Sequence, residues 1–217
     1  MRTSPHVSEA LRKFIRKHVV IESRVQVDLR TFTDDYPEGQ MQISPEQGLF
    51  MAQLASMIGA RRAIEVGVFT GYSGLCVASR LPQDGVLVAC EIDQERAQVA
   101  MGFWQQAGVA DRIDLRLGPA IDTLDAMIES GDEGYDYMFI DADKEMSIEY
   151  FERGMRLLRR GGIILLDNMF LHGDVIDPTR SEQAEVMNRF VHDRVKDDRV
   201  DFSIVPIGDG IGLSRIC

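Results

Sequence analysis

Two short apolar runs in this chain end in acid. Residues 138–144 read MFIDADK and residues 163–168 read IILLDN. Asp141, Asp143 and Asp167 thus stand at the ends of what read as buried strands, with Lys144 beside one end and Asn168 beside the other. Three carboxylates gathered in a half-buried place are costly unless positive charge sits among them. A metal ion meets that need; so does the Lys144 ammonium alone. Taken singly, Asp167-Asn168 suits a turn and Asp141-Ala142-Asp143 suits the cap of a following helix. The metal reading draws its weight from two strand ends taken together.

A second chemical cue precedes them. Residues 63–74 read AIEVGVFTGYSG, a strand followed by Gly67, Gly71 and Gly74 with Ser73 near a helix start. Their spacing is GxxxGxxG, whereas a pyrophosphate-binding loop of the dinucleotide type is GxGxxG. Glu65 within this stretch repels phosphate and suits the cationic end of a ligand. The next strand ends VACEID, which puts Glu91 about 20 residues past the loop, where an acid accepts the hydroxyls of a ribose. Asp93 is left to cap the helix opening at Gln94. A nucleoside with a positive, phosphate-free tail satisfies Glu65 and Glu91 together, and S-adenosylmethionine is such a ligand. The same features disfavour a nicotinamide dehydrogenase.

These residues need a scaffold that brings strand ends together. From residue 62 onward, strand-like runs at AIEVG, VLVACEI, RIDLRLG, YDYMFID and GIILLDN alternate with helical stretches that begin near Tyr72, Gln94, Ala120, Met146 and Ser181. Apolar runs without period-two alternation predict strands buried on both faces, hence a parallel sheet between helices. In such a sheet ligands sit at the carboxyl ends of the strands. The chain closes on DFSIVPI and GIGLSRI around Gly208-Asp209-Gly210, which predicts an antiparallel hairpin. Upstream, one helix is expected over roughly Ser8 to Glu22, then a less regular stretch through Tyr36-Pro37-Glu38-Gly39. Ser44, Pro45 and Gln47 combine a cap, a first-position proline and a capping-box partner for a buried helix.

The 217 residues allow one domain with a full core, and 45% hydrophobic with 27% charged residues is an ordinary globular balance. A formal charge of −11 disfavours a nucleic-acid-tracking surface. The small basic patch of Arg12, Lys13, Arg16 and Lys17 reads as a solvated helix face. No apolar run reaches membrane-spanning length and no signal-peptide core precedes the first helix, so the expectation is a cytoplasmic, reduced protein without membrane partners. Cys76, Cys90 and Cys217 lack metal-ligand spacing; the first two read as core residues. Trp104 and most of the methionines read likewise, and His6, His18 and His192 have no partner pattern.

The segments MQISPEQG, EVGVFTGYSG, GPA, FIDADK, LLDN and VPIGDGIGLSRI also resemble, in order and spacing, those of the cation-dependent O-methyltransferases. That family takes in the caffeoyl-CoA enzymes, their bacterial relatives and, more distantly, catechol O-methyltransferase. The resemblance covers about residues 40–217 and leaves 1–40 as a variable N-terminal helical segment of a single domain. It implies a Rossmann-like α/β fold: a seven-stranded, mostly parallel sheet with a C-terminal antiparallel hairpin and helices on both faces. It further implies a homodimer. Asp141, Asp167 and Asn168 match the family's metal ligands. Met41, Ile43, Glu65, Gly67, Val68, Ser73, Glu91, Ala120, Asp141 and Asp143 match its cofactor-lining positions, and Lys144 matches a proposed catalytic base working beside Asp141.

Chemistry agrees with that expectation. Two carboxylates and an amide oxygen suit Mg²⁺ first, then Mn²⁺ or Ca²⁺, rather than zinc. Adjacent hydroxyls of a catechol-type small molecule can bind such an ion as a pair, and its charge favours the phenolate that attacks a methyl sulfonium. His172 falls where a substrate mouth is expected. The chain departs from the plant caffeoyl-CoA enzymes at Glu145-Met146-Ser147 and at Leu171-His172, which points away from that thioester and toward a smaller or broader catechol pocket. A hydroxyuridine-modifying tRNA enzyme and a non-catalytic cofactor-binding protein are the rival readings.

Overall fold

The computed structural model describes residues 8–217, so His6 lies outside the described part. Ser8 caps α1 (Glu9–His18), which is shorter than expected. The stretch read as irregular instead holds α2 (Arg24–Asp34). The cause is local: the Ser23 hydroxyl accepts from Gln26 N, and the Gln26 side chain accepts from Ser23 N. This reciprocal box starts a new helix in a sequence whose apolar residues run on through Ile21. A short 3₁₀ turn (Gly39–Met41) leads into α3 (Pro45–Met57), capped by Ser44 with proline at its first turn. Ser44 accepts from Gln47 N as expected, but the Gln47 side chain does not close the box; it bonds Asp167 instead.

Beyond α3 the expected alternation holds. β1 (Arg62–Val66), α4 (Tyr72–Ala78), β2 (Val86–Glu91) and α5 (Gln94–Gln106) lead to β3 (Ile113–Leu117), α6 (Ala120–Glu129) and β4 (Tyr135–Ile140). α7 (Ser147–Leu157), β5 (Leu158–Leu166), α8 (Glu182–Arg194), β6 (Val200–Val205) and β7 (Ile211–Ile216) complete the chain. The sheet formed by these seven strands runs β3-β2-β1-β4-β5-β7-β6. β1 to β5 pair in parallel, and β7 pairs antiparallel with both β5 and β6.

Central strands alternate between two apolar layers. Ala63, Tyr137, Phe139 and Leu165 face one layer with Leu29, Met51, Leu75 and Trp104, while Ile64, Met138, Ile140 and Leu166 face the other with Leu124, Phe151 and Phe190. Two apolar faces on one strand produce the continuous apolar run. β3 departs from the expectation: only Ile113 is buried in it, because it is an edge strand with one neighbour. Cys76, Cys90 and Trp104 are core residues as expected, whereas Met41 and Met57 are exposed.

The strand register extends past the strand ends where the site lies. Gly67 N donates to Cys90 O at 3.0 Å, Asp141 N to Val66 O at 2.8 Å, and Asp167 N to Ile140 O at 3.0 Å. Four adjacent tips are thus joined by backbone hydrogen bonds. β1 and β4 lie side by side where the order of connection reverses, the usual ligand crevice of an open α/β sheet. Gly67 is required there: its φ is +88°, and a Cβ would come 2.1 Å from Asp141 O.

Candidate active site

A cavity of about 1160 Å³ opens over these tips. Its wall includes Met41, Ile43, Gly67, Val68, Ser73, Glu91 and Ala120, and also Asp141, Asp143, Lys144, Asp167, Asn168 and His172. Of the residues singled out from the sequence, Glu65 stands behind this wall. It is 2% exposed under the first turn of α4, and a Cβ on Gly74 would come 2.6 Å from its Oε2. Neither carboxylate oxygen has a hydrogen-bond partner among the described residues. Burial pushes its pKa up to about 8; the nearby Ser73 hydroxyl offsets part of that, and the charges of Asp141 and Glu91 add to it.

Glu91 ends β2 and ties the glycine loop to the next turn. Its Oε2 accepts from Val68 N and Phe69 N at 3.0 and 2.8 Å, and its Oε1 accepts from Ile92 N and Asp93 N at 2.9 Å each. Four backbone donors fix this carboxylate against the cavity. Asp93 caps α5 through Glu95 N and Arg96 N, the role expected of it. The loop is also braced from outside: Trp104 Nε1 donates to Gly71 O at 2.9 Å, and the Thr70 and Thr33 hydroxyls meet at 2.8 Å. That second brace comes from α2, the helix that sequence reading missed.

At the tip of β4, Asp141 Oδ1 accepts from Lys144 Nζ at 2.8 Å. Asp143, two residues on, turns to a different partner and accepts from Tyr150 Oη at 2.8 Å. Burial, then this bond to Asp143, raises the Tyr150 phenol and keeps it a donor. At the tip of β5, Asp167 is 3% exposed and among the described residues accepts only from neutral donors, Asn168 N on Oδ1 and Gln47 Nε2 on Oδ2, each at 2.8 Å. Burial first, and the Asp141 charge second, push the Asp167 pKa up. Lys144 is therefore hydrogen-bonded to one carboxylate, and its charge acts on the second only through space. Among the described residues no three His, Cys, Asp or Glu side chains gather as a metal group. The oxygen set available is two carboxylates and the amide of Asn168, whose φ of +60° turns it from the strand. That donor set fits a hard divalent cation, which would relieve the cost of the second buried carboxylate.

His172 sits at the rim with its side chain 93% exposed, in a run where Leu171, His172 and Gly173 all have positive φ. Asp209 holds this turn by accepting from His172 N at 2.9 Å. Three wall residues escaped sequence reading in these roles: Gln47, Tyr150 and Asp209. Gln47 was assigned to a helix cap and Asp209 to a hairpin turn. Nothing local marks Tyr150, which reaches Asp143 only through the turn into α7.

A family model described as O-methyltransferase matches residues 16–217. The chain belongs to the O-methyltransferase family. This family member is 37% identical over 206 residues to catechol O-methyltransferase domain-containing protein 1 of Mus musculus, spanning 94% of this chain and 77% of that protein. It is also 37% identical over 219 residues to caffeoyl-CoA O-methyltransferase of Eucalyptus gunnii, spanning 96% and 88%. Among solved structures, the O-methyltransferase TomG of Streptomyces achromogenes, involved in tomaymycin synthesis and crystallised with S-adenosylmethionine, superposes with a TM-score of 0.89. The two are 28% identical, covering 95% of this chain and 96% of TomG. The expected fold and family are borne out.

Proposed function

We propose that this O-methyltransferase moves a methyl group from S-adenosylmethionine to one hydroxyl of a catechol-type small molecule, with a divalent cation held by Asp141, Asp167 and Asn168. The observation that carries the reading is the convergence of two strand-end carboxylates and an amide beside Lys144 on one cavity wall. The donor assignment is supported by the TomG complex and by Glu91, the acid at the β2 tip that lines the cavity where a ribose would sit.

In this reading Glu91, fixed by four backbone N–H groups, accepts the ribose hydroxyls with its remaining lone pairs. Val68 and Gly67 bring backbone close to the donor, Met41, Ile43 and Ala120 close apolar surface on it, and Asp143 faces its ammonium end. Ser73 presents a hydroxyl from the first turn of α4. A bound cation supplies Lewis acidity that lowers the acceptor hydroxyl's pKa. Lys144 takes the acceptor's proton, and the cavity walls align oxygen, methyl carbon and sulfur, which is the greater part of the catalytic task. His172 and Leu171 border the acceptor end.

The test is methyl transfer by the purified protein to caffeate, dihydroxybenzoate and caffeoyl-CoA, with Mg²⁺ or with EDTA, followed as mass gain of one methyl for one hydrogen. The expected outcome is transfer to vicinal diols that EDTA abolishes and that Asp141→Ala lacks. Transfer that persists in EDTA sinks the metal assignment. Transfer to hydroxylated tRNA but to no catechol replaces the acceptor.

A further inference from the structure

The Gln47 side chain lies where neither a helix cap nor a surface residue belongs. It is 2% exposed, at the third position of α3, and its Nε2 donates to Asp167 Oδ2 at 2.8 Å across 120 residues of sequence. Its Oε1 packs against the β6–β7 turn so closely that a Cβ on Gly208 would come within 2.4 Å of it. One amide therefore joins the start of α3, the tip of β5 and the C-terminal hairpin.

What the amide does for Asp167 follows from its chemistry. The carboxylate is gripped on both oxygens, by Asn168 N and by Gln47 Nε2, so its plane cannot swing. Both donors are neutral. A lysine or arginine in place of Gln47 would satisfy Asp167 and compete with any cation, and an apolar residue would leave its carboxylate free to rotate. An amide orients the carboxylate and leaves its charge unspent. The contrast with Asp141, whose Oδ1 is held by an ammonium, shows that the two acids are prepared differently.

We infer that Gln47 is a positioning residue for divalent-cation binding, fixing Asp167 as an oriented, charge-bearing ligand while Gly208 leaves the space its amide occupies. The inference rests on the proposed cation site. It assigns no role to Gln47 in binding the methyl donor.

Three variants separate these roles: Gln47→Met, which keeps length and volume but removes the donor; Gly208→Ala, which crowds the amide from a turn position whose φ of +60° also strains alanine; and Gln53→Met, an exposed control on the same helix. Mn²⁺ affinity of each ligand-free protein would be measured by electron paramagnetic resonance of the free ion, and S-adenosylhomocysteine affinity by calorimetry, which also reports folding. Outer-sphere partners of metal ligands typically change affinity ~10-fold or more. Gln47→Met is expected to weaken Mn²⁺ binding by that factor, Gly208→Ala to weaken it in the same direction, and both to leave the nucleoside's affinity within about two-fold, like Gln53→Met. Wild-type Mn²⁺ affinity retained in Gln47→Met overturns the inference and leaves the cation site standing. Equal loss of both affinities in Gln47→Met also overturns it, since that is the mark of a merely structural residue. Absence of Mn²⁺ binding by the wild-type protein overturns the cation site itself, and this inference with it.

Discussion

Of the individual residues, Glu65 has the most to say about what burial costs. Its carboxylate has no hydrogen-bond partner among the described residues and a pKa pushed up to about 8 by burial. The unfolded chain ionises the same group near pH ~4.3. Between those values the folded protein binds a proton that the unfolded chain has lost, so stability falls as pH rises from about 4 toward 8. Glu65→Gln is expected to flatten that decline in the protein without ligand, read as melting temperature across this range. Parallel curves for variant and wild type would sink the claim. Asp141, Asp143, Lys144, Asp167 and Asn168 were legible in the sequence because acids at the ends of apolar runs are costly and therefore conspicuous. Gln47 and Tyr150 were not, because a polar group whose partner lies in another element carries no local mark.

At the level of elements, the missed helix shows what sequence periodicity can hide. α1 and α2 are separated by a few residues, and Val19, Val20 and Ile21 continue the apolar pattern across the gap. The break is made by the box between Ser23 and Gln26, which needs the structure to be distinguished from chance spacing. Ser23→Ala removes one half of that box and is expected to cost about 1 kcal/mol. For a chain of this size that lowers the melting temperature by about 2–4 °C. An unchanged melting temperature would mean that α2 is held by its packing, with Leu29 and Thr33 buried, and not by its cap. The strands of the sheet were legible because most of them are buried on both faces. β3 was misjudged in burial because an edge strand still carries Ile113 and Leu115, whose side chains pack on the inner layer.

For the molecule as a whole, stability toward acid has an identifiable source far from the cavity. Asp197, after α8, is held down to about 2 by hydrogen bonds from Arg199, against a burial cost, with the Arg194 charge adding to the effect. The unfolded value is ~3.9, so this contribution is complete above about pH 4 and is lost as pH falls toward 2. Solvent screening around half-exposed Arg199 reduces it to roughly 1 kcal/mol. Asp197→Asn is expected to lower the denaturant midpoint at pH 6 and to leave it nearly unchanged at pH 2. An equal loss at both pH values would point to packing instead. The backbone bonds that continue past the strand ends have a different consequence, one of timescale. Gly67, Asp141 and Asp167 each donate a backbone N–H to the neighbouring tip, so these amides open only when the central sheet separates. Their hydrogen–deuterium exchange is expected to be as slow as that of Phe139 or Leu165 within the strands, while amides of the Leu171–Ile176 turn exchange orders of magnitude faster. The residues to which we assign the chemistry then share the lifetime of the core, and only the rim proposed to meet the acceptor is left to breathe.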